Sequence, residues 1–340
     1  MSDHTRPGLW RLIARFSLIA SVGVGIVSLP FLAAAQPAQK VFRVGYLSAA
    51  GRTPDDGPPG AFREGLRGLG YVEGQNITFQ TRFAEAKFER LPDMAAELVR
   101  LKVDVLVTQG GAAAAAAKQA TSTIPIVMAL ASGDAVATGL IASLARPGHN
   151  ITGLTDESVL LSAKRMELLK EAVPKAARIA IVWNENDQGM TLRYREIEKA
   201  ARLLQVEVQA LGVREPDDFD AAFSKMARQR PDAMFLVADA LTNLNRRRFV
   251  EFAATHRIPA MYETDQIVRE GGLMSYGPRI GDSFRQAAVY VDRILKGANP
   301  TDLPAQQPTA YALAVNLKTA VTLGLTIPPS LLVRADDVIQ

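Results

Sequence analysis

The chain has 340 residues, more than one compact core usually takes, which suits two domains of about 150 residues each. Its formal net charge is +4, and without residues 1–35, which hold three arginines and one aspartate, 36 basic residues face 34 acidic ones. A chain this near charge balance lacks the concentrated basic surface that nucleic-acid binding requires. The absence of cysteine excludes disulfides, thiolate metal sites, cysteine nucleophiles and a lipid-modified N-terminal cysteine.

Residues 1–35 have the pattern of a secretory signal peptide. Three arginines precede an almost wholly apolar run from Phe16 to Leu32, and Ala33–Ala35 provide the small residues of a cleavage site. We expect cleavage after Ala35 and export to the periplasm. The alternative is an uncleaved membrane anchor, because the apolar run approaches the roughly 20 residues that span a bilayer. Pro30 and the alanines favour cleavage, so the mature protein is not expected to be embedded in the membrane.

From residue 36 onwards, short β-branched runs alternate with stretches of helical periodicity. The pattern predicts strands at Val41–Leu47, Ile77–Thr81, Val103–Thr108 and Ile124–Leu130, and helices at Gly60–Leu69, Leu91–Leu101 and Ala112–Ala120. The continuous apolar run VDVLVT within 103–108 is typical of a strand in a parallel sheet that is covered on both faces.

The second half of the chain repeats this order. It predicts strands at Ala177–Trp183, Glu207–Ala210, Ala233–Ala238 and Ile258–Tyr262, and helices at Met190–Leu204, Phe219–Arg228 and Arg246–Thr255. The segments TSTIPIVM (121–128) and THRIPAMY (255–262) are also similar in sequence. The expected fold is α/β, with two doubly wound parallel-sheet lobes of one architecture.

Polar and aromatic residues follow the predicted strands, where an open parallel sheet binds ligands. The candidates for ligand binding are Ser48, Thr108, Gln109, Gly110 and Ser132 in lobe one, and Asn184, Asp239, Tyr262, Glu263 and Tyr276 in lobe two. The glycines after Gln109 let the backbone approach a ligand, and the alanine helix behind them would favour a carboxylate. The same glycines would equally serve a tight strand-to-helix turn alone.

Two acids among these positions, and three aromatic residues at or beside them, have two interpretations each. Asp239 and Glu263 would either receive a ligand ammonium group or cap the helices that follow them. Trp183, Tyr262 and Tyr276 would either stack on a ligand ring or pack within the lobe.

No catalytic, metal or cofactor motif is recognisable in the sequence. Its three histidines have no neighbour of metal-ligand type, and neither a G-x-S-x-G elbow nor a phosphate loop occurs. The paired carboxylates at 55–56 and 217–218 lie beside prolines, a pattern that predicts solvated turns. We therefore expect a protein that is not an enzyme and holds no metal and no cofactor.

The chain resembles the ABC transporter substrate-binding family that includes tryptophan- and tyrosine-binding components. The resemblance covers essentially all of the chain after the signal peptide. It is carried by GLRGLGYVEGQNITF (65–79), LPDMAAELVRLKVDVLVTQGG (91–111), IPIVMALASGDAVATGLIASLARPGHNITGLT (124–155), AKRMELLKEAVPKAARIAIVWN (163–184), GGLMSYG (271–277) and NLKTAVTLGLTIPPSLLVRADDVI (316–339).

The resemblance implies a type I periplasmic-binding fold, in which three crossovers join the lobes. It places lobe one at 36–153 plus 278–303 and lobe two at 154–277 plus 304–340. It also implies a small-molecule ligand and, as partners, an ABC permease and its ATPase. We expect the mature protein to be a monomer. The segment after Asn184 is less typical of the family, so no particular amino-acid specificity carries over.

Three alternative functions remain open from the sequence. A ligand-sensing receptor for a signalling partner would have the same two lobes. An enzyme using the cleft, such as a racemase, is disfavoured by the scarcity of histidine and the absence of cysteine. A sugar-responsive repressor core is opposed by the export signal and by the lack of a helix-turn-helix segment.

Overall fold

The computed structural model describes residues 40–131, 133–155 and 158–340. The predicted signal peptide at 1–35 therefore lies outside the described residues. In chain order the elements are β1 (Phe42–Ser48), α1 (Gly60–Gly68), β2 (Ile77–Phe83), α2 (Leu91–Arg100), β3 (Val105–Gln109), α3 (Gly111–Ala120), β4 (Ile126–Ala131), β5 (Ile151–Thr155), α4 (Ser158–Ala172), β6 (Arg178–Asn184), α5 (Gln188–Leu203), β7 (Glu207–Val213), α6 (Asp218–Gln229), β8 (Ala233–Leu236), α7 (Ala240–Leu244), α8 (Arg246–His256), β9 (Ala260–Tyr262), α9 (Asp265–Arg269), β10 (Met274–Pro278), α10 (Ile280–Leu295), β11 (Tyr311–Asn316), α11 (Leu317–Leu323), α12 (Pro329–Arg334) and β12 (Asp337–Ile339).

Lobe one is built on a five-stranded sheet with the order β2-β1-β3-β4-β5, in which every neighbouring pair is parallel. Side chains alternate across it as the pleat requires. Leu106 points into one apolar cluster, whereas Val105 and Val107 point into the cluster on the opposite face. Helices cover both faces, so the strand is buried from Val105 to Thr108, and the prediction of a buried parallel strand here is confirmed.

Lobe two is built on a seven-stranded sheet with the order β12-β11-β10-β9-β8-β6-β7. Its strands pair in parallel except for β10 and β11, which are antiparallel, with Met274 opposite Val315 and Pro278 opposite Tyr311. The expectation of two parallel-sheet lobes is thus confirmed in the main, with one reversed strand. The reversal arises because β11 enters the sheet from lobe one rather than through a helix of lobe two.

The chain passes between the lobes three times. It leaves the first sheet after Thr155, and it returns after Pro278 into α10, which packs against α1 and β4. Gln306 still pairs with Leu154 in lobe one, so the third passage lies between Gln306 and the start of β11. No helix in the described residues is both long and apolar enough to cross a membrane.

Candidate functional site

A cavity of about 100 Å³ lies between the lobes, where the carboxyl ends of their parallel strands face each other. This volume has room for several water molecules. Both lobes contribute to its wall, as expected for a ligand site at strand carboxyl ends. The lining residues are Ala49, Ala50, Phe88, Gln109, Gly110, Gly111, Ala112 and Leu130 from lobe one, Arg165, Asp187, Arg193, Ala238, Asp239, Ala240, Asn243, Glu263 and Thr264 from lobe two, and Pro278 and Ile280 from the second passage.

The turn between β3 and α3 forms the lobe-one wall. Gly110 has a φ of 95°, a conformation that favours glycine, and a Cβ there would lie 3.3 Å from the Cβ of Ala49. The ten-residue helix α3 then begins at Gly111, so its N-terminal amides and partial positive charge lie at the cavity.

Gln109 is oriented by two hydroxyl groups behind it. Tyr46 and Ser48 both donate to its Oε1, over 2.7 and 3.0 Å. With the carbonyl oxygen held in this way, the amide nitrogen is the group that Gln109 offers towards the cavity. Burial also raises the pKa of Tyr46 well above its ordinary value, so this hydroxyl stays protonated as a donor.

Asp239 caps the N-terminus of α7. Its Oδ1 accepts from the backbone N–H of Thr242 over 2.9 Å, and the Thr242 hydroxyl accepts from the backbone N–H of Asp239, which completes a capping box. The Nδ2 of Asn184 donates to its Oδ2 over 2.6 Å. Burial raises the pKa of Asp239 from 3.8 to about 6, although these hydrogen bonds act in the opposite direction.

Glu263 joins two buried arginines at the floor of the cavity. Arg165 on α4 donates from Nη1 to its Oε1 over 2.8 Å, and Arg193 on α5 donates from Nη1 to its Oε2 over 2.5 Å. The side chains of all three are at most 4% exposed. The backbone N–H of Ala238 also donates to Oε2, so Glu263 has little accepting capacity left for a ligand.

The structure brings four of the predicted site residues to the cavity wall: Gln109, Gly110, Asp239 and Glu263. Ser48 and Asn184 are fully buried one layer behind, and each orients a residue of the wall. Thr108 is buried in β3 and is not part of the wall, and Ser132 lies outside the described residues.

The aromatic candidates do not line this cavity. Tyr262 is fully buried in an apolar cluster of lobe two, and Tyr276 packs against the other cluster of that lobe. Trp183 stacks on Tyr194, with ring centroids 3.8 Å apart and planes 8° apart. Strand-end aromatic residues serve packing in these three positions.

Among the wall residues that the sequence did not predict are Arg165, Arg193 and Phe88. A signal for Arg193 exists, because it falls on the apolar stripe of α5 between Met190 and Ile197, at helical spacing. A charged residue on a buried stripe must be paired, and this marks it as structural or functional. Within the described residues, no group of three or more His, Cys, Asp or Glu is placed to hold a metal ion.

Known proteins resemble this chain over most of its length. A tyrosine-binding protein of Clostridioides difficile (strain R20291) is 25% identical over 264 residues, which cover 78% of this chain and 75% of that protein. A conserved domain protein from Vibrio cholerae is 27% identical, with a TM-score of 0.82 over 88% of this chain and 100% of that one.

Two further solved structures share the fold at lower identity. The ABC domain from Streptococcus pneumoniae in complex with L-Trp is 24% identical, with a TM-score of 0.81 over 88% of this chain and 100% of that one. The ligand-free, open structure of a substrate binding protein with adhesive properties from Clostridium difficile is 23% identical. Its TM-score is 0.63 over 88% of this chain and 99% of that one. The family model for ABC transporter substrate binding proteins matches residues 58–339, and this chain belongs to that family.

Proposed function

We propose that this protein is the extracytoplasmic solute-binding component of an ABC importer and captures a small organic molecule in the cavity between its lobes. The observation that carries the proposal is the cavity itself, since side chains of both lobes line it at the carboxyl ends of both sheets. A molecule held there touches both lobes at once and stabilises their approach. The closed form would then dock on a permease, which an ATPase partner drives.

The comparison of TM-scores supports a closed arrangement. The chain matches the L-Trp complex with a score of 0.81 and the open, ligand-free structure with 0.63, although both are similarly distant in sequence and cover equal shares of this chain. We infer that the lobes stand here as they do around a ligand.

The chemistry of the wall favours a ligand with both a carboxylate and an amine, such as an amino acid. The amide nitrogen of Gln109 and the first turn of α3 would receive the carboxylate. Asp239 would receive the amine, because its oxygens accept hydrogen bonds from neutral groups, whereas the charge of Glu263 is paired with two arginines. An aromatic side chain on the ligand is favoured by the names of the relatives, which refer to tyrosine and L-Trp.

The proposal includes export by a cleavable signal peptide at 1–35, a periplasmic location and a monomeric mature form that performs no chemistry. The family membership supports a binding role rather than catalysis.

The test is a thermal-shift and calorimetry screen of residues 36–340, freed of retained ligand by unfolding and refolding, against amino acids, aromatic acids, purines and sugars. A ligand at 100 times its Kd adds about 2.7 kcal/mol to the free energy of unfolding. Recovery of the ligand unchanged separates a receptor from an enzyme. Conversion of the ligand, or no binding to any member of the panel, would count against the proposal.

A variant pair locates the site. Asp239→Asn should weaken binding of an amine-bearing ligand at least tenfold, because a charged hydrogen-bond partner is lost. Asp217→Asn is the control, since Asp217 is exposed and lies outside the cavity wall. Equal weakening by both variants would place the ligand elsewhere.

A further inference from the structure

Phe88 is the only aromatic residue among the described residues that line the cavity, and its side chain contacts both lobes. It is carried by lobe one, in the 3₁₀ turn at Phe88–Arg90 before α2. Its half-buried ring packs against an apolar cluster of lobe one and also against the lobe-two cluster that contains Leu241 and Phe249. The ring is therefore a direct apolar contact across the cleft.

An unusual turn presents this ring. Glu85 and Ala86 are consecutive residues in the left-handed region, with φ of 55° and 60°, which residues with a Cβ rarely adopt. Their backbone N–H groups bond to the carbonyls of Ala50 and Ala49, over 3.2 and 2.9 Å. The structure thus holds an unfavourable backbone in place at the cavity, and its effect is to direct Phe88 towards lobe two.

Side chains of lobe two also contact lobe one. Ala240, at the start of α7, packs against the lobe-one cluster. At the same rim, a Cβ on Gly51 would lie 2.7 Å from Cδ2 of Leu244. The two lobes therefore meet through their own side chains beside the cavity, without any molecule between them at these points.

We propose that Phe88 is the residue through which lobe one closes on lobe two. Burial of its ring against lobe two supplies part of the free energy of closure, so the protein samples the closed arrangement before any ligand arrives. This inference rests on the proposed function, because it requires a cleft that opens and closes. Affinity for every ligand of the cleft then depends on Phe88, since a lower closed population lowers the apparent affinity in proportion.

The test measures the distance between the lobes without ligand. The chain has no cysteine, so Asp93→Cys on α2 and Ser224→Cys on α6, both exposed, accept spin labels without background. Pulsed electron–electron double resonance gives the distribution of distances between the two labels in refolded, ligand-free protein. The distribution is compared for the parent, Phe88→Ala, Phe88→Leu and the control Phe79→Ala. Phe79 is a half-buried ring of lobe one that packs against Phe62 and does not line the cavity.

We expect Phe88→Ala to lower the ratio of short to long distances about tenfold, because the ring buries apolar area against lobe two only in the closed arrangement. Phe88→Leu should fall between, and Phe79→Ala should match the parent. Equal distributions for the parent and Phe88→Ala overturn the proposal, as does an equal shift in Phe79→Ala. If Phe88→Ala fails to fold by circular dichroism, the Phe88→Leu comparison decides.

The two failures are distinguishable. A screen in which no ligand binds contradicts the proposed function but leaves the ligand-free distances to be read. Conversely, if the protein binds a ligand but Phe88→Ala leaves the distances unchanged, the proposed function stands and the role of Phe88 in closure is wrong.

Discussion

Arg193 and Glu263 form a fully buried ion pair, with Nη1 and Oε2 2.5 Å apart. Arg165 donates to the other oxygen of the same carboxylate, and its Nε donates to the carbonyl of Tyr276 over 2.6 Å. One carboxylate therefore ties α4 and α5 to the end of β9, beside the point where the chain passes back to lobe one. The floor of the cavity is set by charge pairing as well as by apolar packing.

Glu263→Ala should lower the free energy of unfolding by about 3–5 kcal/mol, because it removes the buried acceptor that two guanidinium groups share. Urea denaturation followed by circular dichroism measures the change. Glu167→Ala is the matched control, since Glu167 pairs with Lys164 and both side chains are about half exposed. Loss of this pair should lower the free energy of unfolding by less than about 1 kcal/mol. Similar losses for both variants would show that the buried cluster contributes no special stability.

Gly277→Ala should destabilise the protein by roughly 3 kcal/mol, since overpacked backbone must shift. A Cβ there would lie 2.0 Å from the carbonyl oxygen of Glu263, which is backbone and cannot rotate away. Gly68→Ala, in the last turn of α1, meets nothing within 4 Å and should be neutral or slightly stabilising. Thermal melts of the two variants separate the loss of space from the general effect of replacing glycine. A Gly277→Ala protein as stable as the parent would contradict the packing described here.

Asp239 should make stability fall as pH rises from 4 to 7. Its pKa is about 6 in the folded protein and 3.8 as the ordinary value, so the folded state binds more protons between these pH values. The contribution of Asp239 to the free energy of unfolding is therefore highest below pH 4 and lowest above pH 6. Two pKa units correspond to about 2.7 kcal/mol.

The variant Asp239→Asn isolates this effect, because asparagine also caps helices but does not titrate in this range. Unfolding free energies of both proteins are measured at pH 4, 5, 6 and 7. Relative to the variant, the free energy of unfolding of the parent should fall as pH rises across this range. A constant difference would mean that Asp239 keeps an ordinary pKa.

Tyr46→Phe should weaken ligand binding several-fold, because Gln109 then keeps only the Ser48 hydroxyl to fix its amide. It should also cost about 1 kcal/mol of stability for the lost hydrogen bond. Tyr290→Phe, which removes a 2.6 Å hydrogen bond to the carbonyl of Pro304 in lobe one, should cost similar stability and leave affinity unchanged. Calorimetry with the ligand found in the screen measures both affinities. Equal affinity of Tyr46→Phe and parent would show that the amide of Gln109 is not used.

The sequence predicted eight of the twelve strands in the described residues, because parallel strands covered on both faces are largely apolar, as at 105–107. It did not predict β11 as a reversed strand. Residue patterns in 311–316 report burial but not direction, and direction depends on where the preceding segment comes from.

The candidate site was predictable where strand ends determine it, as at Gln109, Asp239 and Glu263. The remainder depends on side chains that reach the cavity from elsewhere. Arg165 and Arg193 reach the cavity from the middle of helices, and of the two only Arg193 has a local signal, its place on the apolar stripe of α5. Phe88 comes from a loop whose left-handed residues are not glycine, so no local pattern marks it. Conversely, Tyr262 stands at a strand end but its ring turns into the core.

The order in which the chain visits the lobes limits how it can fold as it is made. The first lobe lacks part of one face of its core until α10 is made, since Phe284, Ala287 and Tyr290 belong to that cluster. The second lobe lacks the edge of its sheet until residues 311–339 are present. Lobe one can be completed once the residues up to Gln306 are present, whereas lobe two stays incomplete until nearly the last residue of the chain. In the export proposed above, this late completion would leave the chain without a finished lobe two until nearly its last residue is made.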